Sequence, residues 1–243
     1  MMKIIVHLSL RLAGLVLFLL SAGCFSLGGD ASTTNVVWTF DRNLVTVDAT
    51  VGGRAGTFLV GTASEQTILD SDFGGAISRR GRTGVHLGER YSATVTPARA
   101  DLGGIADGVL GGDAWRGRSL TIDYQRGLLV LGKGLDPVTE DVRFRFRGTP
   151  SVRVTIDGAE VTALVDTASP EAIVLPARTW GAEGRRTVTL RIGKTSFEEV
   201  DALVAPVGEA RLGNRLLAHF LVTVDYPRGE VSLWRHGPAP KPN

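Results

Sequence analysis

The stretch Leu164–Ser169 reads LVDTAS, and the stretch Leu59–Ser64, 105 residues earlier, reads LVGTAS. At the same shift, residues 47–68 and residues 152–173 are identical at 10 of 22 positions. Identity at this level between two parts of one chain indicates an internal repeat.

A second repeated block lies further along the chain. Residues 110–131 and residues 212–233 are identical at 8 of 22 positions, at a shift of 102. Two blocks in the same order and at nearly the same spacing indicate a duplicated unit. We therefore predict a first lobe over residues 36–133 and a second lobe over residues 142–235.

The hydrophobic pattern within each repeat is typical of β-strands. Apolar side chains alternate with polar ones along residues 45–51 and 152–156, which is the period of a half-buried strand. Gly52-Gly53 and Asp157-Gly158 follow these segments and favour the positive backbone angles of a tight hairpin. The sequence therefore predicts an all-β chain.

The remaining patterns predict little helix and two irregular segments. Short helices are predicted over residues 112–117 and 214–220. The Gly- and Arg-rich stretch over residues 70–84 predicts an exposed loop. Residues 236–243 predict a flexible tail.

The charge and cysteine content exclude several classes of function. Lys3 and Arg11 account for the formal net charge of +2, and the chain from residue 24 onward has 25 basic and 25 acidic residues. A neutral chain argues against nucleic-acid binding, which requires a basic face. The single cysteine, Cys24, excludes a disulfide framework and cysteine-dependent catalysis. No metalloprotease, serine-hydrolase or phosphate-loop motif is present, so we expect no cofactor and no metal.

The beginning of the chain has the layout of a secretory signal, with basic residues before an apolar run over residues 12–20. The stretch Leu20–Cys24 reads LSAGC and resembles a bacterial lipobox, whose cysteine becomes the lipidated first residue of the mature protein. The resemblance implies a signal peptide over residues 1–23, a lipidated tether over residues 24–35, and export. Because Phe25 rather than aspartate follows the cysteine, it also implies anchoring in the outer membrane, facing the periplasm or the cell surface. The alternative is an ordinary signal peptide with an incidental cysteine.

The LVDTAS stretch resembles the apolar-apolar-Asp-Thr-Gly-Ser loop of aspartic proteases of the retropepsin and pepsin type. Residues 107–111 and 211–214 resemble the apolar-apolar-Gly element that backs this loop. Residues 123–127 and 225–229 are similar to the closing hairpin of bacterial retropepsin-like domains. The resemblance covers almost the whole chain after the leader. It implies two pseudo-twofold-related β-barrel lobes of the acid-protease type, with a cleft between them for a peptide or protein segment.

The chain departs from this family at the catalytic position. Each lobe of the family supplies one aspartate, because two carboxylates about 3 Å apart share one proton and act as acid and base. Here Asp166 lies in the second lobe, but Gly61 stands at the matching position of the first. The resemblance makes Asp166 and Thr167 the candidate catalytic residues. It also implies that Thr62 and Thr167 brace the two loops across the lobe interface.

A second departure is alanine at positions where the family usually has glycine. Ala63 and Ala168 follow the two threonines. Alanine adds a methyl group and penalises a positive backbone angle, but we expect the loops to tolerate this change, unlike the change at Gly61.

Three functions remain open for this chain. The first is a noncatalytic descendant that binds an extended peptide in the cleft by strand addition, with Asp166 as a relic. The second is an active aspartic endopeptidase that pairs Asp166 with Asp166 of another chain. The third is a structural envelope lipoprotein that uses the fold only as a scaffold.

Overall fold

The computed structural model describes residues 34–74, 81–132 and 142–235. The predicted signal peptide, Cys24 and the predicted tail lie outside these described residues. Within the described ranges, no helix is both long enough and apolar enough to span a membrane.

The first half of the described chain is built almost entirely from strands. Its elements are β1 (Thr34–Val37), β2 (Thr39–Asp41), β3 (Leu44–Val51), β4 (Arg54–Val60), β5 (Ile68–Asp70), β6 (Thr83–Leu87), β7 (Tyr91–Val95), β8 (Ala98–Ala100), β9 (Gly108–Leu110), α1 (Gly112–Trp115), β10 (Ser119–Asp123) and β11 (Leu128–Gly132).

The second half repeats this plan with longer strands. Its elements are β12 (Val142–Arg145), β13 (Ser151–Ile156), β14 (Ala159–Val165), β15 (Ile173–Pro176), α2 (Ala177–Trp180), β16 (Gly184–Ile192), β17 (Thr195–Ala205), β18 (Ala210–Leu212), α3 (Asn214–Leu217), β19 (Phe220–Asp225) and β20 (Glu230–Arg235).

The second half contains a closed barrel with the strand order β13-β14-β18-β15-β17-β16. The hairpin between β13 and β14 turns at Asp157 and Gly158, whose φ angles are 48° and 84°, as a tight hairpin requires. After the turn, β14 starts exposed and ends in three buried residues, Ala163 to Val165. β18 pairs in parallel with this buried end. The two strands together therefore position the loop that begins at Asp166.

The first half has the same strand arrangement but does not close. Its sheet runs β7-β6-β3-β4-β9-β5-β8, with β2 paired to β3. In the second half the long strand β17 pairs with both β15 and β16, whereas the first half has two short strands, β7 and β8, at this place. Thr96 and Pro97 separate them. Because proline has no N–H to donate, it interrupts the ladder here.

A third sheet joins the two halves in the order β1-β11-β10-β19-β20-β12. At its centre β10 and β19 are antiparallel, and Thr121 faces Thr223 in register. The hydroxyl oxygens of these two threonines are 2.9 Å apart. Since Thr121 and Thr223 are equivalent in the repeat, the pseudo-twofold axis passes between them. Each half has its own hydrophobic core beside this sheet.

The predicted all-β fold, with two pseudo-twofold-related lobes of the acid-protease type, is confirmed, and one of its two barrels is open. The predicted loop over residues 70–84 is too long, because Asp70 ends β5 and Thr83 begins β6. Within β6, Thr83, Val85 and Leu87 alternate inward and are buried, so the strand pattern begins inside the Gly- and Arg-rich stretch.

Two further elements differ from the sequence prediction. β1 begins at Thr34, inside the segment predicted as a tether, because its pairing with β11 supplies backbone partners. The short helix Ala177–Trp180 was not predicted, and none of its residues is buried, so it has no apolar stripe that a sequence pattern could reveal.

Candidate functional site

The loop that carries Asp166 is held at both ends by backbone hydrogen bonds. The Asp166 N–H donates to the Leu212 carbonyl at 2.9 Å, and the Ser169 N–H donates to the Asp166 carbonyl at 3.2 Å. In the first half the Gly61 N–H donates to the Leu110 carbonyl, also at 2.9 Å. The two loops therefore have the same attachment to the strand behind them.

The structure brings Thr62 and Thr167 together between the halves. The Thr62 N–H donates to the Thr167 hydroxyl at 3.2 Å, and the Thr167 N–H donates to the Thr62 hydroxyl at 3.3 Å. Each hydroxyl also donates to a carbonyl of the opposite half, from Thr62 to Val165 and, at 2.5 Å, from Thr167 to Val60. Both side chains are fully buried. This reciprocal set of bonds locks the two loops to each other.

Asp166 makes an ion pair inside its own half. Its side chain is only 6% exposed, and its Oδ2 lies 2.9 Å from Nη1 of Arg211. Its Oδ1 accepts a hydrogen bond from the Ala168 N–H at 3.1 Å. Both carboxylate oxygens thus have donors from the protein. Within the described part of the chain, no second carboxylate is hydrogen-bonded to Asp166 to share a proton with it.

The partner position in the first half is closed to a side chain. A Cβ atom built on Gly61 would lie 2.3 Å from Cγ1 of Val109, far inside van der Waals contact. Val109 is itself buried. The side chain of Val109 therefore takes the space that an aspartate at position 61 would need.

Val109 and Arg211 occupy equivalent positions of the repeat, 102 residues apart and each just before the Leu-Gly pair of its half. Sequence reasoning missed both, because it treated these segments only as the backing of the loop. The available signal was Arg211 itself, a charged residue in an element that is otherwise apolar. Equivalent positions of the two halves thus contact the two loops, Val109 by filling the space beside Gly61 and Arg211 by pairing with Asp166.

The backbone of both loops accommodates the two alanines. The non-glycine residues with positive φ in the described part of the chain are Arg42, Asn43, Asp157 and Glu199. Ala63 and Ala168 are not among them, so the added methyl groups meet no left-handed backbone there.

A groove of about 520 Å³ lies beside the Asp166 loop and takes residues from both halves. The first half contributes Leu44 and Thr46 of β3 and the loop at Gly104 and Ile105, and the second half contributes Pro170. Ile105 is 61% exposed, the largest exposure among the described large apolar side chains. Exposed apolar surface in a groove with polar walls is typical of a binding site.

The described residues contain no group of three or more His, Cys, Asp and Glu side chains placed to hold a metal ion. Among the histidines that the structure describes, His219 has a shifted pKa, which is lowered by burial and by the charge of Arg235. His219 stacks on Phe197 at 6.4 Å between ring centroids, which is a packing role. The candidate site therefore consists of the two loops and the groove.

No protein-family model matches the sequence, and no curated protein is significantly similar to it. Among solved structures, the fold matches the crystal structure of the aspartic proteinase from Irpex lacteus, with a TM-score of 0.59 and 14% sequence identity. The match covers 84% of this chain and 97% of that chain. At this level of identity the likeness shows the fold, and the chain has the fold of the pepsin-like aspartic proteinases.

Proposed function

We propose that this chain is a noncatalytic, aspartic protease-like envelope lipoprotein that binds an extended peptide or protein segment in the cleft between its halves. The observation that carries the proposal is the ion pair between Asp166 and Arg211. General acid–base catalysis by this fold needs a carboxylate pair that shares a proton. A guanidinium does not accept a proton from a carboxylic acid, because arginine stays charged in proteins.

The steric state of the first half supports the same proposal. The Val109 side chain fills the place beside Gly61. A water molecule bound next to Asp166 therefore has no second acid to help activate it. A chain that lacks the acid pair but keeps the fold and the Thr62–Thr167 bonds can bind a peptide without cleaving it.

The groove supports a peptide as the occupant. An extended peptide adds to a sheet through its backbone, and alternate side chains enter pockets. Ile105, Leu44 and Pro170 supply apolar contacts in the groove. Thr46 and Asp48 line the same groove with polar groups.

The endopeptidase alternative requires the Asp166 loops of two chains to meet. In this structure the Asp166 loop is bonded to the loop of the first half through Thr62 and Thr167. A second chain would have to replace that contact, while the two halves of one chain are at a high effective concentration. These bonds favour the internal pairing. The scaffold alternative is separated from peptide binding by the experiment below.

The lipid anchor remains part of the proposal through Cys24. An anchored protein would present its groove to peptides at a membrane surface. Stable anchoring needs more than one acyl chain, as bacterial lipoprotein modification of such a cysteine would supply.

A random peptide library selected on the purified protein tests peptide binding. The consensus peptide should bind the wild type, and Ile105→Asp should weaken that binding about tenfold or more, since it places a charge in the apolar part of the groove. Trp234→Asp is the matched control, because Trp234 is 37% exposed and does not line the groove. Equal effects of the two substitutions, or recovery of no consensus, would favour the scaffold alternative.

The same peptides test catalysis. Mass spectrometry after prolonged incubation between pH 3 and pH 7 should show intact peptide. Cleavage by the wild type that disappears in Asp166→Ala would overturn the noncatalytic function.

A further inference from the structure

The pseudo-twofold relation fails at one buried polar residue of the second half. Asn214 is fully buried, and both its Oδ1 and its Nδ2 are hydrogen-bonded within the protein. Its Oδ1 accepts a hydrogen bond from the Tyr124 hydroxyl at 2.7 Å. Its Nδ2 donates to the carbonyls of Thr167 and Asn43, both at 2.8 Å. One carboxamide group thus joins a tyrosine hydroxyl and two backbone carbonyls.

The pseudo-twofold-related place on the other side of the axis has the three partners but lacks the carboxamide. The repeat places Gly112 at the position of Asn214 and Tyr226 at the position of Tyr124. It likewise places Thr62 for Thr167 and Gly148 for Asn43. The two places therefore differ by a carboxamide side chain at Asn214 in one and a hydrogen atom at Gly112 in the other.

Backbone geometry supports this equivalence. The Gly112 N–H donates to the Ser64 carbonyl at 2.7 Å, as the Asn214 N–H donates to the Ser169 carbonyl at 2.9 Å. Gly148 has a φ of 78° and Asn43 a φ of 60°, so this uncommon backbone conformation is present on both sides.

A cavity of about 490 Å³ lies where the carboxamide is missing. Thr62, Gly112, Gly148 and Tyr226 all line it. The Tyr226 hydroxyl is buried and has no hydrogen-bond partner among the described residues. Burial also raises the pKa of Tyr226, so its hydroxyl stays protonated and can donate. A buried donor without a partner is costly, and the cost is removed when an acceptor enters the cavity.

We propose that this cavity binds a primary carboxamide, such as the side chain of a glutamine or asparagine residue. The carbonyl oxygen of the ligand accepts a hydrogen bond from the Tyr226 hydroxyl. Its NH₂ group donates to the carbonyls of Thr62 and Gly148, in the pattern that Asn214 shows in the other half. This site is separate from the peptide groove and does not depend on the function proposed for it.

The two carbonyl acceptors give the cavity selectivity for an amide over an acid. Glu65 lines the cavity and accepts a hydrogen bond from the Thr149 hydroxyl at 3.3 Å. Arg116 and Arg228 line it as well, so the selectivity rests on hydrogen bonds rather than on charge. A carboxylate ligand has no N–H for the two carbonyls, and their oxygens repel its own. The volume is larger than one side chain needs, so backbone on either side of a glutamine also fits.

Binding of small amides to the whole protein tests the proposal. N-acetyl-glutamine methylamide should bind saturably in a titration followed by NMR. N-acetyl-glutamate methylamide at neutral pH should bind at least about tenfold more weakly. Free L-glutamine is a second arm, which distinguishes a free amino acid from a residue within a peptide. Tyr226→Phe should weaken the amide about tenfold, because it removes the donor.

Gly112→Asn supplies the decisive variant, because it restores the missing group from within the chain. A Cβ on Gly112 would lie 3.4 Å from the Ser64 carbonyl oxygen and 3.6 Å from Cε1 of Tyr226, so the side chain fits. This variant should lose binding of the amide ligand. It should also melt at a higher temperature than Gly112→Ala, although alanine has the higher helix propensity.

Gly112→Ala is the matched control, since it adds a Cβ without an amide and should keep binding. Unchanged binding in Gly112→Asn, equal binding of the glutamine and glutamate compounds, or no binding of either would each overturn the proposal.

Discussion

Replacing Arg211 with leucine should destabilise the protein more than replacing its partner Asp166 with asparagine. Arg211→Leu leaves a carboxylate that is only 6% exposed without its countercharge. Asp166→Asn leaves an arginine whose side chain is 38% exposed, so its charge keeps access to water although its Nε is buried. Loss of the arginine should therefore lower the free energy of unfolding more than loss of the carboxylate.

The expected size follows from these exposures. Removing one partner of a buried ion pair costs about 3–5 kcal/mol, and an exposed pair contributes about 0–1 kcal/mol. Because Arg211 is more than a third exposed, we expect an intermediate loss for Arg211→Leu, about 2 kcal/mol in the free energy of unfolding. In a domain of this size that loss lowers Tm by about 4–8 °C. Asp166→Asn should lose about 1 kcal/mol.

The double variant gives the sharpest comparison. Asp166→Asn with Arg211→Leu contains no unpaired buried charge, so it should be more stable than Arg211→Leu alone despite having one more substitution. Urea and thermal unfolding at pH 7, followed by circular dichroism, measure all three. Arg153→Leu is the control, because Arg153 and Glu160 form a pair at 3.3 Å with exposures of 69% and 70%. Equal losses for the two single variants, with a double variant equal to their sum, would refute the reasoning.

Further outcomes follow from other parts of the chain. Thr62→Val should lower the free energy of unfolding by about 1–3 kcal/mol, because it leaves buried partners unpaired, whereas Thr62→Ser should lower it less; urea unfolding compares them. Gly61→Asp should cost about 1–3 kcal/mol through overpacking, and Val109→Ala in the same chain should recover part of this loss; a double variant no more stable than Gly61→Asp would contradict the steric argument. Burial raises the pKa of Tyr91 to about 12, above the value near 10 of an unfolded chain. The protein should therefore lose stability between about pH 10 and pH 12, and Tyr91→Phe should reduce that loss in unfolding curves across this range. Cys24→Ser should move the protein from the membrane to the soluble fraction of cells; unchanged fractionation, with an unmodified mature N-terminus, would exclude lipidation.

The main features of the fold could be predicted because they are encoded locally and twice. The hairpin turn at Gly52-Gly53 has the two positive φ angles, 58° and 82°, that its glycines favour. The repeat also indicated that Thr62 and Thr167 are equivalent, which is why the structure can place them across one axis. The interruption at Pro97 was present in the sequence as well, but its effect depends on which strand it breaks.

The decisive features of the site could not be predicted from patterns. Arg211 and Asp166 are 45 residues apart in the chain, and they meet only because β18 runs parallel to the end of β14. The packing of Val109 against Gly61 depends on where one side-chain atom, Cγ1 of Val109, lies in the folded chain, which no periodicity contains. The missing partner of Tyr226 becomes visible only when the surroundings of Asn214 are compared with those of Gly112.

The central sheet also determines what half of this chain would do alone. One edge of β10, from Ser119 to Asp123, is paired with β19 in the intact protein, and all five of its residues are buried. A fragment ending at Gly132 would expose this edge to solvent, and an uncovered edge strand recruits another strand. The strand that fits it best is a second copy of β10, because β19 is its repeat. Such fragments would pair about a twofold axis through Thr121, so the contact that would join two separate fragments is the middle of a single sheet in the intact chain.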